Sequence, residues 1–129
     1  KTITIEGNTL VDMVRKDILP SIEMYLSKVA ETASLKQKVD SKMSISYEKN
    51  IMNKLSSLND IIFAGVDTLE KVLEEEQAIE DIVEQGYAIR DKVLPTMESL
   101  REACDQAEMI VAKEYWPYPS YGEMLFGVK

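Results

Sequence analysis

Histidine is absent from the 129 residues. That excludes Ser-His-Asp and Cys-His catalysis, zinc held by imidazole, and the Glu-x-x-His di-metal sites of carboxylate-bridged helix bundles. Cysteine occurs once, at Cys104, so no internal disulfide forms and nothing points to an oxidising compartment. Acidic neighbours, Glu102 and Asp105, would raise its thiol pKa, so Cys104 reads as a small buried residue. The glycines Gly7, Gly65, Gly86, Gly122 and Gly127 stand singly, which leaves no phosphate loop and no dinucleotide fingerprint. No apolar run approaches the roughly 18–20 residues that span a bilayer, and no signal-peptide pattern opens the chain. Cations are outnumbered, 15 Lys and Arg against 23 Asp and Glu, for a net charge of −8. That balance argues against unspecific nucleic-acid binding and against adhesion to an anionic membrane. The deficits disfavour a self-contained enzyme and point to a cytoplasmic location. No catalytic, cofactor-binding or metal-binding residue is nominated.

Hydrophobic residues make up 45% of the chain, enough to bury the core of one domain spanning residues 1–129. The sequence starts at Lys1 rather than methionine, which reads as a segment cut from something longer. Lys1-Thr2-Ile3-Thr4-Ile5-Glu6 alternates polar and apolar residues, as an extended lead-in over residues 1–8 would. Gly7 and Asn8 then end it, with Asn8 as a helix cap.

The remaining apolar positions fall in steps of three and four and predict an all-α fold, an antiparallel bundle of three long helices. The first, about Thr9–Thr32, carries the stripe Leu10, Val14, Ile18, Ile22, Leu26 and Val29, and Pro20 should kink it. Residues 33–46 are polar and read as a connection, with Ser44 or Ser46 capping the second helix. That helix, Ser46–Leu73, has the stripe Ile51, Leu55, Leu58, Ile62, Val66, Leu69 and Leu73, broadened by Ile61, Phe63 and Val72. Glu74-Glu75-Glu76-Gln77 is placed as a turn, although the stripe stays in phase through it. The third helix, Ile79–Lys113, shows the strongest period, through Ile79, Ile82, Gly86, Ile89, Val93, Met97, Leu100, Cys104, Ala107 and Val111. Pro95 sits inside it as Pro20 sits inside the first. Around the two prolines, Val14–Glu23 lines up with Ile89–Glu98, an echo that two kinked helices solving one packing problem, or duplication of a helical unit, would produce.

Residues 114–129 differ in kind. Tyr115, Trp116, Tyr118, Tyr121 and Phe126 are five of the nine aromatics, and Pro117 and Pro119 force an extended path. A strip this apolar must dock, on its own helices or on another part of a larger assembly, because Trp and Tyr join large apolar area to a polar handle. Other candidates are weaker. Glu74, Glu75, Glu76, Glu80, Asp81 and Glu84 lack the spacing of a calcium loop and read as a solvated face. Arg15, Arg90 and Arg101 would make a dicarboxylate site only if two of them converged inside the bundle, as in a small helical mutase or lyase.

The stretch Tyr87-Ala88-Ile89-Arg90-Asp91-Lys92-Val93-Leu94-Pro95-Thr96-Met97-Glu98-Ser99-Leu100-Arg101 resembles the C-terminal region of type III glutamine synthetases. There an Arg-Asp pair, Val-Leu-Pro, a Met and Leu-Arg recur in this order. Tyr115-Trp116-Pro117-Tyr118-Pro119-Ser120-Tyr121 with Leu125-Phe126 resembles their Trp-Pro-x-Pro-x-Tyr ending, and Asp12–Pro20 is similar to the helix that opens the region. The resemblance implies a helical C-terminal domain of a ligase of glutamine biosynthesis and nitrogen metabolism, whose parent joins ammonia to glutamate. It implies ATP and magnesium or manganese for the parent, bound upstream, and no cofactor in this segment. The implied partners are the catalytic domain of the parent chain and neighbouring subunits of a ring oligomer, with Tyr115, Trp116, Tyr118, Tyr121 and Phe126 as the docking surface. A free-standing helical module for protein–protein interaction is the alternative.

Overall fold

The computed structural model describes residues Thr2–Pro119. Among these residues the regular structure is helical throughout, in the order α1 (Thr2–Met13), a π turn (Val14–Ile18), α2 (Leu19–Val39), α3 (Ser46–Gln77), α4 (Ile82–Ala88), a second π turn (Ile89–Val93), α5 (Leu94–Ile110) and a short 3-10 turn (Lys113–Tyr115). Because the π turns join their flanking helices without a break, the described residues make three helical rods.

The central rod is α3. Its buried side is the stripe read from the sequence, Ile51 to Leu73, extended by Glu48 at one end and Glu76 at the other. Partners on the first rod fall as positions on α3 rise. Thr4 bonds Glu76, Arg15 meets Glu70, Glu23 accepts from Asn59, and Lys36 pairs with Glu48. Such an ordering means that the two rods run in opposite directions. Glycine permits the close approach on each side of α3. A Cβ at Gly7 would lie 2.9 Å from Leu73 Cδ2, and one at Gly65 would lie 3.2 Å from Leu100 Cδ1.

Each π turn ends two residues before a proline. The Leu19 N–H reaches back to the Val14 carbonyl, and Leu94 to Ile89, five residues rather than four. Proline has no N–H to give and crowds the carbonyl a turn behind it, so a wider turn just upstream relieves both problems. The wider turn also keeps the apolar stripe in line. Leu10, Val14, Ile18 and Ile22 are separated by three successive steps of four, each overshooting a straight α-helix by about 40°. Taking up that drift leaves all four buried.

Several expectations are corrected. Residues 2–8 are helical, not extended, and Gly7 and Asn8 lie within α1. Ile3 and Gly7 continue the spacing of Leu10 and Val14, and packing on Leu73 overrides the β-branched alternation. The first rod runs to Val39 rather than Thr32, and Tyr25, not Leu26, takes the buried position. Glu74–Gln77 is the last turn of α3 rather than a break. The reversal comes after it, where Asp81 Oδ2 accepts the Glu84 N–H at 2.9 Å and caps α4. The third rod begins at Ile82 and ends at Ile110. The first part of its seam is not buried, with Ile82 76% exposed and Gly86 facing open space. Ile61 and Phe63 also point outward, so they do not widen the α3 stripe.

Candidate functional site

After Ile110 the chain turns back on the first rod. The Tyr115 ring centroid lies 5.4 Å from that of Tyr25 at an interplanar angle of 49°, the tilted arrangement that suits the charge distribution of two aromatic rings. The Tyr118 hydroxyl donates to Asp17 Oδ2 at 2.7 Å, tying the tail to the first π turn. Burial, with that hydrogen bond to a carboxylate, pushes the Tyr118 phenol up to about 12. Burial also raises the Tyr25 phenol, with Tyr47 and Tyr115 adding to the effect. Trp116 is half-buried against the core. Three of the five aromatics nominated from the sequence, Tyr115, Trp116 and Tyr118, therefore meet the chain's own helices. Tyr121 and Phe126 lie outside the described residues.

Trp116, Tyr118 and Pro119 close one end of a cavity of about 470 Å³ between α1 and α5. Its apolar wall is built by Leu10, Met13, Ile18 and Cys104, and its polar margin by Glu6, Thr9, Arg101, Asp105 and Glu108. The cavity lies where α1 and α5, both packed on α3, stand beside each other. No sequence signal marks it, since it depends on the separation of two rods.

Cys104 is buried in this wall. Burial first, then the charge of Asp105, pushes its thiol up to about 11. Only the thiolate attacks electrophiles, so iodoacetamide at pH 8 should alkylate Cys104 about 100-fold more slowly than an ordinary free cysteine. A rate that rises to the ordinary value in urea is the expected control. Fast alkylation of the folded chain would refute the buried placement.

The three arginines do not converge. Arg15 faces α3 and bonds Glu70 at 2.7 Å, with Asp67 at 3.7 Å. Arg90 is exposed, pairs with neighbouring Asp91 at 2.8 Å and lies over the Tyr87 ring at 5.0 Å. Hydrogen bonding between them raises the pKa of Arg90 and lowers that of Asp91. Arg101 alone of the three lines the cavity. No paired-cation site for a dicarboxylate is formed by these residues.

The acidic run is not wholly a solvated face either. Glu76 is buried, with one carboxyl oxygen accepting from Thr4 at 3.0 Å and the other lacking a hydrogen-bond partner among the described residues. At the opposite end of the stripe Glu48 is buried too. Its hydrogen bond from Lys36, at 2.7 Å, holds its carboxyl below the usual carboxylate range. The signal for both was in the spacing, because Glu48 and Glu76 fall three residues outside Ile51 and Leu73 on the same stripe. Among the described residues no cluster of His, Cys, Asp and Glu is arranged to hold a metal ion, and no helix is long and apolar enough to cross a membrane.

The geometry thus defines an all-helical domain with an aromatic end folded onto it and an open apolar groove along one side. Comparison with known proteins makes the resemblance specific. The chain is 25% identical over its whole length to a glutamine synthetase of Butyrivibrio fibrisolvens. It is 29% identical, over 98% of the chain, to the type-3 glutamine synthetase of Dictyostelium discoideum. To a glutamine synthetase of Bacteroides fragilis it is 25% identical over 96% of the chain. In each case it spans about 18% of the relative's length. The chain is therefore similar to the C-terminal part of glutamine synthetases, the type-3 enzyme among them. No family model matches the chain, and no solved structure does.

Proposed function

We propose that this chain is a non-catalytic C-terminal structural and assembly domain of a type III glutamine synthetase. Its parent would ligate ammonia to glutamate in the cytoplasm using ATP and magnesium or manganese bound upstream. The observation that carries the reading is the similarity over the full chain to a small fraction of much longer synthetases. The lack of histidine and the separate engagement of Arg15 and Arg90 support a role outside the chemistry. In this reading the three rods form an antiparallel bundle whose outer members bend at Pro20 and Pro95 to follow α3. Trp116 and Tyr118 belong to the surface that couples the domain to the catalytic part of the chain or to neighbouring subunits of a ring.

The test is to delete these 129 residues from the parent enzyme. The expected result is an oligomer that dissociates or melts at lower temperature, read by native mass spectrometry and calorimetry. Unchanged oligomer mass and melting would overturn the assembly role. A natural polypeptide no longer than these residues, seen by immunoblot of source cells, would remove the parent-enzyme reading and leave a free-standing helical interaction module.

A further inference from the structure

We infer that the groove between α1 and α5 receives an amphipathic segment from the upstream part of the parent chain, apolar on its inner side and basic along its margins. The proposal rests on the reading of this chain as part of a longer enzyme, and adds the surface and the chemistry of the partner. Three observations carry it. The groove is large, about 470 Å³, and Met13 and Trp116 present apolar surface within it. A row of aliphatic side chains would fill such a trough.

The margin carries charge that the described residues do not neutralise. Glu6, Asp105 and Glu108 line it and enter none of the ion pairs among the described residues, and Arg101 stands beside them with no carboxylate paired to it there. Three acids against one arginine call for a partner with lysine or arginine on both flanks, since complementary charge at the rim selects the partner and sets its register. Finally, the relatives are more than five times as long as this chain, so an upstream polypeptide is at hand to supply the segment.

The other occupants fit less well. A second copy of this chain would bring a net charge of −8 to an acidic rim. Residues 120–129 carry a single lysine, Lys129, and a further acid, Glu123, so they do not supply cations along both margins.

Zero-length carbodiimide cross-linking of the intact parent enzyme, mapped by mass spectrometry, tests the proposal. It joins a carboxylate to a lysine amine only when the two are in contact. The exposed internal pair Lys28–Glu31, at 3.5 Å, reports that the reagent has worked. Cross-links from Glu6, Asp105 or Glu108 to lysines upstream of this region are expected. The combined change Asp105→Lys with Glu108→Lys, which leaves Glu6 in place, should abolish the cross-link from Glu6 and lower the melting temperature of the parent. Cross-links that reach only lysines within these 129 residues, Lys129 or a second copy included, would overturn the proposal, as would none at all. So would a double variant that melts with the wild-type parent. A parent polypeptide that proves no longer than this chain would instead sink the reading on which the proposal stands.

Discussion

Replacing Ile62 by Ala should lower the stability of the chain by about 3 kcal/mol, while the same change at Ile61 should cost less than about 0.5 kcal/mol. The two residues are chemically identical neighbours in the middle of α3. Ile62 is fully buried and Ile61 is 56% exposed, because adjacent positions on a helix point about 100° apart. Truncating Ile62 removes three methyl or methylene groups from water-free surroundings and leaves a void that the three rods cannot fully close. Truncating Ile61 trims a side chain already largely in water. Urea unfolding of both variants is the measurement, and the Ile62→Ala chain should also melt roughly 10–15 °C lower. Equal losses at the two positions would mean that the buried face of α3 is assigned wrongly.

Trp116→Ala should be the most damaging change in the tail, costing about 2–4 kcal/mol. The indole packs against the core and forms part of the cavity wall, so its removal loses contact on one side and enlarges an existing space on the other. Tyr118→Phe, which deletes only the hydrogen bond to Asp17, should cost about 1 kcal/mol. Thermal melting of the chain and native mass spectrometry of the parent separate two roles. Lower melting with unchanged oligomer mass would make Trp116 a clasp of its own domain. Loss of oligomer mass beyond what the melting change explains would make it part of the assembly surface. No change in either would end the case for the tail as a functional element.

The α3 stripe was readable in full, because every third or fourth residue from Ile51 to Leu73 is aliphatic and α3 is flanked on both sides. The first rod was readable from Leu10 to Ile22 by the same spacing, while Tyr25 rather than the nominated Leu26 is buried because its ring meets Tyr115. Its beginning was not, since Ile3 and Ile5 alternate with threonines as a strand would, and only contact with Leu73 and Glu76, some seventy positions away, decides for helix. Its end was missed because residues 33–39 have no apolar stripe. There the helix is tied to α3 through Lys36 and Glu48. Periodicity overreached in the third rod, where Ile82 keeps the beat but stays exposed. Periodicity was underused at Glu76, where a charged side chain hid a buried position. Of the candidate site, the aromatic composition marked Tyr115, Trp116 and Tyr118. The groove that Trp116 and Tyr118 line is a property of spacing between rods and left no trace in the sequence.

The two π turns also bear on how this chain can change length over descent. A π turn is an α-helix that has absorbed one additional residue. At Val14–Ile18 the surplus is held locally while the apolar residues on either side, Leu10 and Ile22, stay buried, and at Ile89–Val93 it is held locally ahead of the buried stripe of α5. Loss of one codon there would tighten the turn to an ordinary helix and leave the buried stripes of α2 and α5 in place, apart from the demand of the following proline. Loss of one codon within α3 would instead swing every later side chain by about 100° and turn Leu69 and Leu73 toward solvent. The outer rods thus each possess a joint at which insertions and deletions are absorbed, and the central rod has none.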